Sequence, residues 1–127
     1  MAQDPVRQQL RVLPARYEIE FLPNGSAPPM PDTAWTALVR APEGLTIIKE
    51  TDPHNPPAEE WHAFYGDNPH GLDLPGMLAA VVGPLAATAI PVFVTSTFHA
   101  DLVLVPAERR TDAVAALRAA GHVIREP

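Results

Sequence analysis

Residues 92–105 read VFVTSTFHADLVLV, so Ser96, Thr97, Phe98, His99 and Asp101 stand between two apolar runs. A carboxylate at the start of an apolar strand has two uses. It can accept a charge-assisted hydrogen bond from an amine, or it can take a nearby N–H and close a tight turn. Both readings stay open for Asp101, as Ser96 and Thr97 stay open as turn formers and Phe98 as a pocket wall or a core side chain. His99 beside Asp101 suggests an acid–base pair. However, the chain has neither a GxSxG motif nor a phosphate-cradling glycine loop to supply a nucleophile or a phosphate site. The five histidines, His54, His62, His70, His99 and His122, have no spacing that one element would present to a metal. They are expected to be scattered and solvated. No metal and no cofactor is implied.

A zwitterion would need an anionic partner for its amine and a donor-lined place for its carboxylate. A helix N-terminus provides the second, through unpaired N–H groups and the helix dipole. Gly76, near the start of an apolar helical pattern, would let a ligand approach the backbone closely; close packing of helix on sheet explains a glycine there equally well.

These residues must be held by surrounding elements. RYEIEFLP alternates polar and apolar side chains as a strand does, and AWTALVR and LTIIKE, joined by APEG, read as a hairpin. WHAFY, residues 61–65, is a further strand. From Leu74 the period changes: Met77, Leu78, Val81, Val82 and Leu85 recur at helical spacing, with Asp73 as N-cap, and Pro84 should kink or split that helix. Strands over 92–96 and 101–105 follow. A helix then begins at about Ala107 or Asp112 and runs to Ala120, stopped by Gly121, and HVIR is a last short strand.

Residues 61–125 therefore read β-α-β-β-α-β, the ferredoxin-like order within an α+β fold, with two helices on one face of a four-stranded antiparallel sheet. VFV and LVLV are apolar at consecutive positions, which implies burial on both faces. The N-terminal strands and a second copy of the chain are both expected to cover the face the helices leave. The expected division is a strand-rich N-terminal half, 1–58, and a C-terminal domain, 59–127.

At 127 residues the chain suits one compact domain or two small lobes sharing a core. Without cysteine it has no disulfide, thiolate zinc site or cysteine nucleophile. A net charge of -6 and no basic stripe argue against nucleic acid and anionic lipid. Leu74 to Ala100 carries no charged side chain, but Pro75, Pro84 and Pro91 would break a membrane span, so a buried core is expected. MAQDPVRQQL lacks an apolar signal region, and a cytoplasmic location is the expectation.

The stretch from Leu72 to His122 resembles the ACT-domain proteins, specifically the small two-ACT branch that includes the cytosolic arginine sensors. The resemblance rests on Gly76, on Pro84-Leu85-Ala86 with Ile90, on Ser96-Thr97-Phe98 and on Asp101. It implies an ACT domain with an ACT-like N-terminal half. The implied role is a non-catalytic regulatory module that binds a free amino acid or similar small effector, forms a homodimer and acts on a regulated protein partner. The family's binding positions fall on Gly71, Leu74, Gly76, Met77, Thr97, Phe98, Ala100 and Asp101. Arginine-sensing relatives carry an acidic side chain where this chain has Leu74, so an amino-acid site is implied without guanidinium recognition. Two other roles suit the architecture: a small enzyme using His99 and Asp101, and a ligand-free oligomerisation or docking module.

Overall fold

A computed structural model describes residues 7–24, 34–67 and 75–127. In chain order the elements are β1 (Gln9–Val12), β2 (Tyr17–Pro23), β3 (Ala37–Ala41), β4 (Gly44–Glu50), β5 (Trp61–Gly66), α1 (Met77–Ala87), β6 (Phe93–Ser96), β7 (Asp101–Pro106), α2 (Arg110–Ala119) and β8 (Val123–Arg125). A single 3₁₀ turn, Ala107–Arg109, leads into α2. The mixed α+β architecture and the β-α-β-β-α-β order from β5 to β8 agree with the sequence reading.

β5 is the central strand. One edge pairs antiparallel with β7 along its length, from Trp61↔Pro106 to Tyr65↔Leu102, and β6 pairs with the far edge of β7. The other edge takes β1, from Leu10↔Gly66 to Val12↔Phe64, and then touches β2 at Tyr17↔Trp61. β2 leaves to pair with β4, and β4 with β3.

The four strands of the ferredoxin-like unit are not contiguous. β1 lies between β5 and β8, antiparallel to the first and parallel to the second. Sequence reading missed β1 because only Leu10 and Val12 of its four residues point inward.

Alternation along β5 and β7 separates two cores. Phe64, Val103 and Val105 face Val81 and Leu85 of α1 and Ala113, Val114 and Leu117 of α2. Ala63, Tyr65, Leu102 and Leu104 face Leu13, Tyr17 and Ile48, with Trp35 and Ala37 packed at the margin. The N-terminal strands are therefore the cover that the doubly apolar strands required.

Both helices end in a Schellman turn. For α2, the N–H of Gly121 donates to Arg118 and that of His122 to Leu117, at 3.0 and 3.1 Å. Gly121 has φ +98, as the left-handed position demands. For α1 the same two bonds run from Ala89 to Ala86 and from Ile90 to Leu85, but the left-handed residue is Ala89, at φ 58. A Cβ there costs about 1 to 2 kcal/mol, which the extra unfolded-state freedom of glycine offsets in part. Ala89→Gly is therefore expected to stabilise the chain by roughly 0.5 to 1 kcal/mol. An unchanged or lowered urea midpoint would show that the turn is unstrained.

α1 begins at Met77, three residues later than the pattern from Leu74 suggested. The proposed cap, Asp73, lies outside the described residues. Gly76 is the N-cap, at φ 84 and without a side-chain cap. The helix runs unbroken through Pro84. Proline leaves the carbonyl of Ala80 without its intrahelical donor, and the ring of His122 replaces it, with Nε2 2.8 Å from that oxygen. Nδ1 of the same ring accepts the N–H of Gln8 at 3.1 Å. These two bonds fix the neutral tautomer with its proton on Nε2.

The expectation of solvated histidines fails for two of the four described. His122 is buried by its bridging role, and His62 on β5 is buried with Nδ1 unpartnered. His54 and His99 are exposed, and His70 lies outside the described residues. Burial, then the positive charges of Arg110 and Arg16, hold His62 below its ordinary value of 6.5. The unfolded chain thus takes up the proton first as pH falls, so the stability that neutral His62 contributes is complete above about 6.5 and declines below it. Urea unfolding at pH 7.5 and pH 5.5 should show a smaller loss for His62→Leu than for the parent. Equal losses would mean that other groups set the acid limb.

Candidate functional site

The register Tyr65↔Leu102 brings the end of β5 beside the start of β7. The Gln8 side chain lies 4.0 Å from a Cβ built on Gly66 and also bonds to Met77, so the start of α1, Gly66 and the β6–β7 turn belong to one end of the sheet. Built on Gly66, a Cβ would stand 3.2 Å from that of Ala100, so the end of β5 and the β6–β7 turn meet closely here. Ala100 is buried.

Thr97 organises the turn. Its N–H donates to the carbonyl of Ala100 at 2.9 Å, and its hydroxyl accepts from the N–H groups of His99 and Ala100, both at 3.2 Å. The same hydroxyl lies 2.6 Å from that of Tyr65. Phe98 is neither core nor a closed pocket wall: it is 73% exposed at the tip, its ring edge-on to His99 at 5.4 Å between centroids.

Asp101 lies opposite Ser96 in the strand register, and its Oδ1 accepts the Ser96 hydroxyl at 2.7 Å. Its partner is a side chain across the hairpin, not the ring of His99. Leu102 and Leu104 belong to the core beneath the N-terminal strands, and Val103 and Val105 to the helix-side core. Alternation therefore puts Asp101 on the helix side of the sheet. Thr97, tied to Tyr65, engages the other side. The residues read from the sequence thus divide. Asp101 shares its side of the sheet with α1, whereas Thr97 shapes the turn that presents the acid.

At the helix start, the Gln8 side chain donates to the Met77 carbonyl at 2.6 Å, fastening the first turn of α1 to the segment before β1. Gly71 and Leu74 lie outside the described residues. Gln8, Tyr65 and Asp67 were not singled out in the sequence. Asp67, next after β5, pairs with Arg11 at 3.3 Å and accepts from Arg125, tying β5 to β1 and β8. No spacing links these three residues, so only the topology could reveal them. Among the described residues no cluster of His, Asp and Glu is arranged to hold a metal ion.

The larger clefts lie elsewhere. One of about 390 Å³ is lined by Arg16, Glu59, Glu60, Trp61 and Glu108 among others, and a neighbour of about 410 Å³ shares Arg16 and Glu60. Both sit at the Trp61 end of β5. A small apolar cavity of about 60 Å³, between Trp35, Ala37, Ile48, Thr97 and Leu102, lies where β3 approaches β6.

Helix α1, the Thr97–Asp101 turn and α2 all fall within one stretch that compares with a known family. Residues 58–119 match the model of the ACT domain. ACT domains are ligand-binding regulatory modules, typically without catalytic activity, and they commonly oligomerise. No curated protein shows a significant match to the chain. Among solved structures, protein Atu0741 from Agrobacterium tumefaciens superposes with a TM-score of 0.83 at 25% identity, covering 96% of this chain and 95% of that one. A Vibrio cholerae protein of unknown function, VC0802, gives 0.71 at 21% identity over 89% and 88%. Both likenesses extend well beyond the ACT segment, so the N-terminal strands are part of a recurring architecture. No helix among the described residues is long and apolar enough to cross a membrane.

Proposed function

We propose that the chain is a regulatory module of the two-ACT type that binds a free amino acid, with residues 59–127 as the ACT domain and 1–58 as its ACT-like companion. The ligand carboxylate meets the N-terminus of α1 around Gly71, Leu74, Gly76 and Met77. Its amine meets Asp101, on a turn shaped by Thr97, Phe98 and Ala100. The observation that supports this most is that Asp101 lies on the helix side of the sheet, at the end where α1 begins. One lone pair set of its carboxylate is engaged by Ser96, and Oδ2 is left for an ammonium group. Gly76, left-handed at φ 84, turns the backbone into the helix without a side chain at that point.

The module is read as a cytoplasmic homodimer that signals to a protein partner. β6 pairs only with β7 among the described residues, so its outer edge can add a strand from a second copy.

A thermal-shift screen against each proteinogenic amino acid tests the ligand. A binder at about a hundredfold over its Kd adds about 2.7 kcal/mol, which raises Tm on the order of 10 °C in a domain of this size. If none raises it, amino-acid binding is wrong and a docking role without ligand takes its place.

A further inference from the structure

The two larger clefts lie on either side of one ion pair. Arg16 meets Glu60 at 3.2 Å, and Thr51 donates its hydroxyl to the other oxygen of Glu60 at 2.9 Å. This pair forms a ridge between clefts of about 390 and 410 Å³, each far larger than the apolar cavity near β6. Sharing Arg16 and Glu60, the two clefts adjoin across this pair and make a groove at the end of β5 opposite the Asp101 turn. An occupant must be long enough to cross the ridge.

One cleft is walled mainly by apolar surface, and the other mixes apolar surface with the charged side chains of Arg16, Glu59, Glu60 and Glu108. Pro14, Pro53 and Pro56 line one cleft, and Pro106, Ala107 and Trp61 the other. Proline offers no N–H, so these walls suit the side chains of an extended segment.

The charge in the groove is unbalanced. The N–H of Ala107 donates to the carbonyl of Glu60 at 2.8 Å. Glu59 precedes one of these residues and Glu108 follows the other, so the bond delivers both acids to the cleft holding Trp61. Arg16 already neutralises Glu60. Glu59 and Glu108 are exposed and have neither a hydrogen bond nor an ion pair among the described residues. A cation placed between two such carboxylates beside an indole gains charge-assisted hydrogen bonds and a cation–π contact.

We propose that this groove docks an extended peptide segment of a partner protein, with a lysine or arginine side chain between Glu59 and Glu108 over Trp61 and an apolar side chain among Pro14, Pro53 and Pro56. The site is independent of the amino-acid site, since it uses none of its residues and lies at the other end of the sheet.

The probe is a library of capped octapeptides with one fixed arginine and randomised flanks, added to the full chain labelled with ¹⁵N; the control library has glutamate fixed instead. The arginine library should shift the Trp61 indole resonance, and the selected peptide should lose at least tenfold in affinity in Glu59→Gln/Glu108→Gln. Both substituted residues are exposed, so this variant keeps the fold. Glu43→Gln, another exposed position, should bind as the parent does. An arginine library that leaves the indole unmoved overturns the proposal. So does equal binding of the glutamate library, unchanged affinity in the double variant, or free arginine binding as tightly as the peptide. The two readings fail separately, because loss of amino-acid binding in Asp101→Ala and loss of peptide binding in Glu59→Gln/Glu108→Gln report on opposite ends of the sheet.

Discussion

Replacing Asp101 with alanine is expected to weaken amino-acid binding about 30- to 150-fold while the chain stays folded. A hydrogen bond between a carboxylate and an ammonium group contributes about 2 to 3 kcal/mol, and this range sets the factor. The structural cost is small, because the bond from Ser96 is exposed. Calorimetry with the amino acid that most raises Tm decides the matter. Asp101→Asn sharpens it, since the amide oxygen can still accept from Ser96 but the charge is gone. Asn should therefore restore the turn without restoring affinity. If parent, alanine and asparagine forms bind alike, the acid is only a turn former and the ligand site must be sought elsewhere.

His122→Leu should lower stability by about 2 to 4 kcal/mol. Leucine keeps most of the volume, so the loss is polar: the carbonyl of Ala80 loses its donor and the N–H of Gln8 its acceptor. The cause can be isolated through Pro84. In Pro84→Ala the residue at 84 regains an N–H, and α1 can satisfy Ala80 internally. His122→Leu should then cost about 1 kcal/mol less in the Pro84→Ala background than in the parent. Urea unfolding of the parent, both single variants and the double variant yields this coupling. Additive effects would show that the ring and the proline act independently.

The second half was legible because its periods are strong. The runs at 61–65 and 102–105, largely apolar at consecutive positions, became β5 and β7, and the change near residue 73 marked the first helix. Gly121 announced the end of α2. What stayed hidden has a common cause, the use of a residue type against its usual role. β1 shows only two inward apolar side chains; Ala89 occupies a position where glycine is the ordinary choice; and His62 and His122 are buried although histidine often stands at a surface. Within the candidate site, Asp101 and the turn around Thr97 could be read from the motif. The binding of Gln8 to Met77 could not, because 69 residues separate the partners.

The placement of β1 also bears on how the chain reaches its fold. Leu10 aligns with Ile124, and Gln8 bonds to His122 across 114 residues of sequence. Contacts of such long separation demand a large loop-closure entropy before they return any stabilisation. On the ribosome, β1 emerges early and has no β8 to pair with until synthesis has passed residue 125. The hairpin of β3 and β4 and that of β6 and β7 can form locally in the meantime. Completion of the central sheet is thus a late event: β1 can pair with β5 earlier, and the β1–β8 edge closes last.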